Sequence, residues 1–251
     1  MITTRIAVAT LAGIAVAASA TACSGNDSDN AAPAPSGPAL RPSVTAPPTA
    51  SAPPISDAVK LAASLLTAPD LPAGFTPIDT PGQDPAEPAG PDADKSDKSR
   101  TEPKECAAVL SPVSDQQAGS VSRAVSRFTG PDFSSIDIDA ASYPAPGGAG
   151  AFARVQQLFG SCRSYSGTDA DGISVQYALS SIDQPVAGDA SVAVRATTRS
   201  EGLVLTSDVV VAVVGSTVVQ ISATGQQPID PAVLTSIATK QVDRLRGAPG
   251  S

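Results

Sequence analysis

The stretch Val209-Val-Val-Ala-Val-Val-Gly-Ser-Thr-Val-Val-Gln-Ile221 decides the architecture. Residues 209–214 are apolar at every position rather than at every second one. A strand with that pattern has both faces covered, so it belongs at the centre of a sheet or beneath a helix. Gly215-Ser216 is a two-residue turn with glycine first, the arrangement of a type II′ hairpin. Residues 217–223 then return beside the first strand, and the pairing is antiparallel.

Working outward, two more strands precede this hairpin. Ile173, Val175, Tyr177 and Leu179 alternate with polar or small residues, as do Val192, Val194 and Ala196. After the hairpin comes the clearest helix. Asp230 caps it, and Pro231 sits in the first turn, where a missing N–H costs nothing. Leu234, Ile237, Ala238, Val242 and Leu245 form its apolar stripe, while Lys240, Arg244 and Arg246 suit the negative end of the helix dipole.

Upstream, Phe152, Val155, Phe159 and Cys162 share one face of a helix over residues 149–162. Ile136 and Ile138 alternate with Asp137 and Asp139, which reads as a half-buried strand with the carboxylates in solvent. Residues 120–128 fit either helix or strand. Residues 105–110 read as a short helix bearing Cys106. Ser56 is placed as the cap of a helix with a stripe of Val59, Leu61, Leu65 and Leu66, stopped by Pro69 and Pro72. The expected fold is α+β: an antiparallel sheet of about five strands, helices packed on one face, one domain over residues 55–247 and one disulfide.

The first residues carry a different signal. Arg5 precedes an apolar run over residues 6–18, too short to span a membrane and suited to a signal peptide. Ser19-Ala-Thr-Ala22 then leads to Cys23. Small residues before a cysteine form the processing site of a bacterial lipoprotein, so residues 1–22 are expected to be removed and Cys23 to carry lipid. Residues 23–54, rich in Ala-Pro and Pro-Pro, are expected to serve as a semi-rigid tether. Residues 81–103 are expected to form a disordered charged loop. Asp92, Asp94 and Asp97 there lack the glycine and glutamate of a calcium loop.

Composition narrows the chemistry. The chain contains no histidine, which removes Ser-His-Asp and Cys-His catalysis and histidine metal ligation. No G-x-S-x-G, S-x-x-K, Walker loop or dinucleotide fingerprint is present. A formal net charge of −8 argues against nucleic acid as a partner. Aromatic residues make up 3% of the chain and tryptophan is absent, so aliphatic side chains must build the core. With Cys23 lipidated, Cys106 and Cys162 remain in an oxidising compartment, where they are expected to pair; two buried free thiols are the alternative. Asp169 and Asp171 lie in a loop before a strand, with Tyr165 nearby, and two carboxylates can do glycosidase chemistry at the right spacing. Their i, i+2 spacing beside Gly172 reads as a turn.

Together the Cys106 helix, the segment Ala151-Phe152-Ala-Arg-Val-Gln-Gln-Leu-Phe-Gly-Ser-Cys162, and the closing hairpin before a proline-started helix resemble the extracellular sensor domain of the mycobacterial serine/threonine kinase H. That family also occurs in actinobacterial lipoproteins. Phe159 stands in the region where family members often have tryptophan, and one disulfide is available here rather than two. The resemblance implies one helix-and-sheet domain with a cleft for an unidentified ligand. The expected function is a cell-envelope lipoprotein on the extracytoplasmic face, anchored at Cys23, with a non-enzymatic ligand-binding or sensor-like domain. Its expected partner is an unidentified small molecule or lipid, or another envelope protein, with no cofactor and no metal. A scaffold, adaptor or lipid or glycolipid carrier is the alternative.

Overall fold

The computed structural model describes residues 38–78 and 97–247. The signal peptide, Cys23, the first part of the tether and residues 79–96 of the charged loop lie outside the described residues.

The sheet has nine strands rather than about five, in the order β1-β3-β4-β9-β8-β7-β6-β5-β2, with every neighbouring pair antiparallel. In chain order these are β1 (Thr76–Pro77), β2 (Arg100–Glu102), β3 (Ser122–Thr129), β4 (Ser135–Ser142), β5 (Ser164–Thr168), β6 (Ser174–Ser181), β7 (Ala190–Ser200), β8 (Leu203–Val214) and β9 (Thr217–Gly225). Four helices accompany them: α1 (Ala58–Ala63), α2 (Val113–Gln116), α3 (Gly147–Ser161) and α4 (Pro231–Leu245). A 3-10 helix over Lys104–Leu110 carries Cys106.

The extra strands have distinct origins. β3, open to either reading in sequence, buries Ser122, Ala124 and Phe128 and pairs with β4 along its whole length. β5 has only Tyr165 as a large apolar residue, too little for a periodicity signal. β1 and β2 are two- and three-residue edge pieces. β2 lies within the segment expected to be a disordered loop, and its register on β5 places Arg100 opposite Thr168.

Helices cover both faces, not one. Val209, Val211 and Val213 of β8 join Phe152, Val155 and Phe159 of α3 and Val109 in one core. Val210, Ala212 and Val214 join Leu61 of α1, Leu65 and Leu66 after it, and Leu234, Ile237 and Val242 of α4 in the other. The physical reason is the pattern of 209–214 itself. A strand apolar on both faces exposes a row of valines unless each face has its own cover.

Local signals hold at α4 and shift at α1. The Asp230 carboxylate accepts from the N–H groups of Ala232 at 2.7 Å and Val233 at 3.3 Å. At α1 the cap is Asp57, not Ser56: its carboxylate accepts from Val59 and Lys60. Val59 is 78% exposed and takes no part in the stripe. Asp139, expected in solvent, is 5% exposed. The Gln241 amide on α4 accepts from Leu66 N–H and donates to Ser64 carbonyl, both at 3.0 Å, and so joins α4 to the end of α1. Arg244 donates to the Leu65 carbonyl and pairs with Asp70, each at 2.8 Å.

Residues 38–54 lie against the α3 side of the domain. Val44 donates to Gln156 Oε1 at 2.7 Å, and Gln156 Nε2 donates back to the Val44 carbonyl at 2.9 Å. Ser181 accepts from Arg41 N–H, and Ser216 donates to the Ala52 carbonyl, both at 2.7 Å. Ala46 is buried in the α3 core. The packed chain therefore begins well before residue 55.

Candidate functional site

The residues singled out by sequence fall into three groups. Cys23 lies outside the described residues. Cys106 and Cys162 are joined, with Cα atoms 5.6 Å apart, and both are buried. Asp169 Oδ1 accepts from the backbone N–H groups of Asp171 at 3.0 Å and Ile173 at 2.8 Å, so this carboxylate closes the turn before β6. Among the described residues no three His, Cys, Asp or Glu side chains come together to hold a metal ion.

Two concave surfaces lie elsewhere, on the α1/α4 face of the sheet. The first is an apolar pocket of about 260 Å³. Ile136 of β4 and Ala223 of β9 form its floor, Val233 of α4 and Ile229 before it form one wall, and Pro72 and Phe75 form the other. Ser134, Thr224 and Gln227 bring the polar groups. Gly130 admits the Phe75 ring: a Cβ there would meet the ring edge at 2.6 Å. A mostly apolar concavity with a few polar groups is the usual form of a small-molecule site.

The second is a polar trough of about 240 Å³ over β6, β7 and β8. Arg195, Thr197 and Arg199 of β7, Thr206 of β8, and Ser180 and Ser181 of β6 line it, with Pro228 at its edge. Arg195 is held by Asp208 through two hydrogen bonds, Nε at 2.6 Å and Nη2 at 2.9 Å. Asp208 is 1% exposed, so the guanidinium neutralises an otherwise uncompensated buried charge. The hydrogen bonds to Asp208 push the Arg195 guanidinium further above its ordinary range, against the opposing effect of burial.

On the opposite face, burial raises Asp139 to about 6, although Arg127 pulls it down; Asp137 and Asp115 add to the rise. Burial likewise raises Asp137. Asp139 Oδ1 and Arg127 Nε are buried without a hydrogen-bond partner among the described residues. Tyr165 and Tyr177 stack at 4.5 Å between ring centroids.

Sequence reasoning did not single out Phe75, Ile229, Arg195 or Asp208. The detectable signal was Asp208, a carboxylate directly ahead of the all-apolar run 209–214 and within the same strand. Such a charge must find a partner, and the antiparallel register offers Arg195.

No family model matches the sequence, and no curated protein matches it. The extracellular domain of PknH from Mycobacterium tuberculosis is similar in structure, with a TM-score of 0.58 and 14% identity, over 77% of this chain and 98% of that one. An uncharacterized protein from Mycobacterium smegmatis matches with a TM-score of 0.34 and 16% identity, over 74% of this chain and 97% of that one. The first likeness shows a distant relationship of fold, and the chain is an α+β protein of that architecture.

Proposed function

We propose that this chain is a lipoprotein of the cell envelope, anchored through Cys23 on the extracytoplasmic side, whose domain binds a small molecule without transforming it. The apolar pocket between β4, β9 and α4 carries the binding reading: separate segments of the chain supply its floor and walls, and Ser134, Thr224 and Gln227 add polar groups to a mostly apolar lining. The fold likeness to an extracellular domain and the apolar run before Cys23 support the location. Among the described residues no helix is long and apolar enough to cross a membrane.

Native mass spectrometry of the gently purified protein tests the binding. A retained small molecule that is absent from the Val233→Trp variant is the expected result. Protein that is empty as purified and takes up no apolar fragment from a library would overturn the reading. Cys23→Ala tests the anchor: loss from the membrane fraction is expected, and unchanged fractionation would contradict it.

An adaptor role is the second reading, favoured by one feature. Leu203, Val204 and Leu205 stand exposed at the tip of the β7–β8 hairpin, with Leu203 69% exposed. Exposed apolar side chains in a row are suited to a protein contact.

A further inference from the structure

Among the described residues, none that lines the apolar pocket is charged, and its hydroxyl groups are already engaged. Ser134 Oγ donates to the Pro131 carbonyl at 2.6 Å, and Ser135 Oγ donates to Asp137 Oδ2 at 3.2 Å. Thr224 Oγ1 and Ser207 Oγ lie 2.7 Å apart and share one hydrogen bond. None of these bonds uses the amide of Gln227, which is exposed and lines the same pocket. A primary amide both donates and accepts, so it can meet a hydroxyl, a carbonyl or another amide.

Helix α4 begins beside the pocket, since Ile229 and Val233 both line it. The start of a helix ordinarily attracts an anion through its N–H groups. Here the Asp230 carboxylate takes those of Ala232 and Val233, at 2.7 and 3.3 Å, and brings a negative charge of its own. A carboxylate or phosphate would be repelled by Asp230, and an ammonium would find that carboxylate committed to the cap. Either charge would give up water for an uncharged lining, at a cost that no partner there offsets. Size sets a second limit. An apolar cavity of about 150 Å³ holds one benzene ring, so the 260 Å³ here suits roughly ten non-hydrogen atoms.

We propose that the pocket takes an uncharged ligand of about ten non-hydrogen atoms, apolar over most of its surface, whose single hydroxyl, carbonyl or amide group bonds to Gln227. This rests on the reading of the apolar pocket as a ligand site and names the ligand's class. Carboxylates, phosphates and amines fall outside that class. A wholly apolar molecule fits the pocket but leaves the Gln227 amide unused.

Titration calorimetry at pH 7 on the full chain carrying Cys23→Ser, which removes the proposed point of lipid attachment, tests it. The probes 2-naphthol, naphthalene, naphthalene-2-carboxylate and 2-naphthylmethylammonium share one apolar frame, and nonan-1-ol with nonanoate covers a linear ligand. In at least one frame the neutral alcohol should bind about tenfold more tightly than its charged counterparts. Gln227→Met keeps the side-chain length without the amide. It should weaken 2-naphthol about fivefold, to the affinity of naphthalene, and leave naphthalene unchanged. Val233→Trp should weaken every neutral probe, with circular dichroism confirming that both variants are folded. The comparison among probes needs neither variant. Charged probes that bind as tightly as the alcohols overturn the uncharged class while sparing the pocket. Alcohol binding unmoved by Gln227→Met overturns the assignment of the polar end. Binding of no probe, or binding that a folded Val233→Trp leaves intact, sinks both this inference and the pocket reading.

Discussion

Asp139 faces Arg127 of β3, Asp137 of β4, Asp115 of α2 and Gln220 of β9, and none of these gives its Oδ1 a hydrogen bond. Its carboxyl is near 6 in the folded chain, against an ordinary value of 3.8. The folded state therefore holds this proton more tightly than the unfolded chain does. Stability falls as pH rises from about 4 to about 6, and the penalty stays in place above that. Two pKa units correspond to about 3 kcal/mol at most. Asp139→Asn should raise the melting temperature at pH 7.5, and the gain should vanish below pH 4. Thermal melts across that range check it, and an equal gain at both ends would contradict it. Substitution of Asp208 should destabilise the fold instead. Asp208→Ala strands Arg195 and removes its two hydrogen bonds, which should cost about 3 kcal/mol in denaturant unfolding. Pairing it with Arg195→Met should restore most of the loss, since an apolar pair leaves no uncompensated charge.

Elements were legible where a single local rule governs them. α4 announced itself through Asp230, Pro231 and a regular stripe, and the β8–β9 hairpin through 209–214 and Gly215-Ser216. Legibility failed where tertiary pairing does the work. β5 carries no alternating apolar residues and is a strand because β6 and β2 flank it. The second helical layer was already implied by valines on both faces of β8. The pocket was not readable, because Phe75, Ile136 and Val233 come from distant segments and none is unusual alone. Two cross-element joints now invite measurement. Gln241→Ala leaves Leu66 N–H and the Ser64 carbonyl without their buried partner and should cost about 2 kcal/mol. Reducing the Cys106–Cys162 bridge, which spans 56 residues, should cost about 4 kcal/mol in the chain-entropy account. An unchanged melting temperature under reductant would contradict it.

At the scale of the molecule, the docked segment over residues 38–54 sets how the domain stands. Gln156, Ser181 and Ser216 supply hydrogen bonds to its backbone. With that segment docked, 14 residues separate it from the anchor proposed at Cys23, a contour of at most about 50 Å. Undocked, the reach more than doubles. Gln156→Ala should speed hydrogen exchange at Val44 while leaving the β8 amides protected. The proposed ligand site lies between the sheet and α4. Methyl-labelled NMR during titration with an apolar ligand reads this most directly. Shifts concentrated on Ile136, Ile229 and Val233, with Val155 and Val211 of the opposite core unmoved, are expected. Shifts concentrated on Leu203 and Leu205 of the hairpin tip, or on no methyl at all, would contradict it.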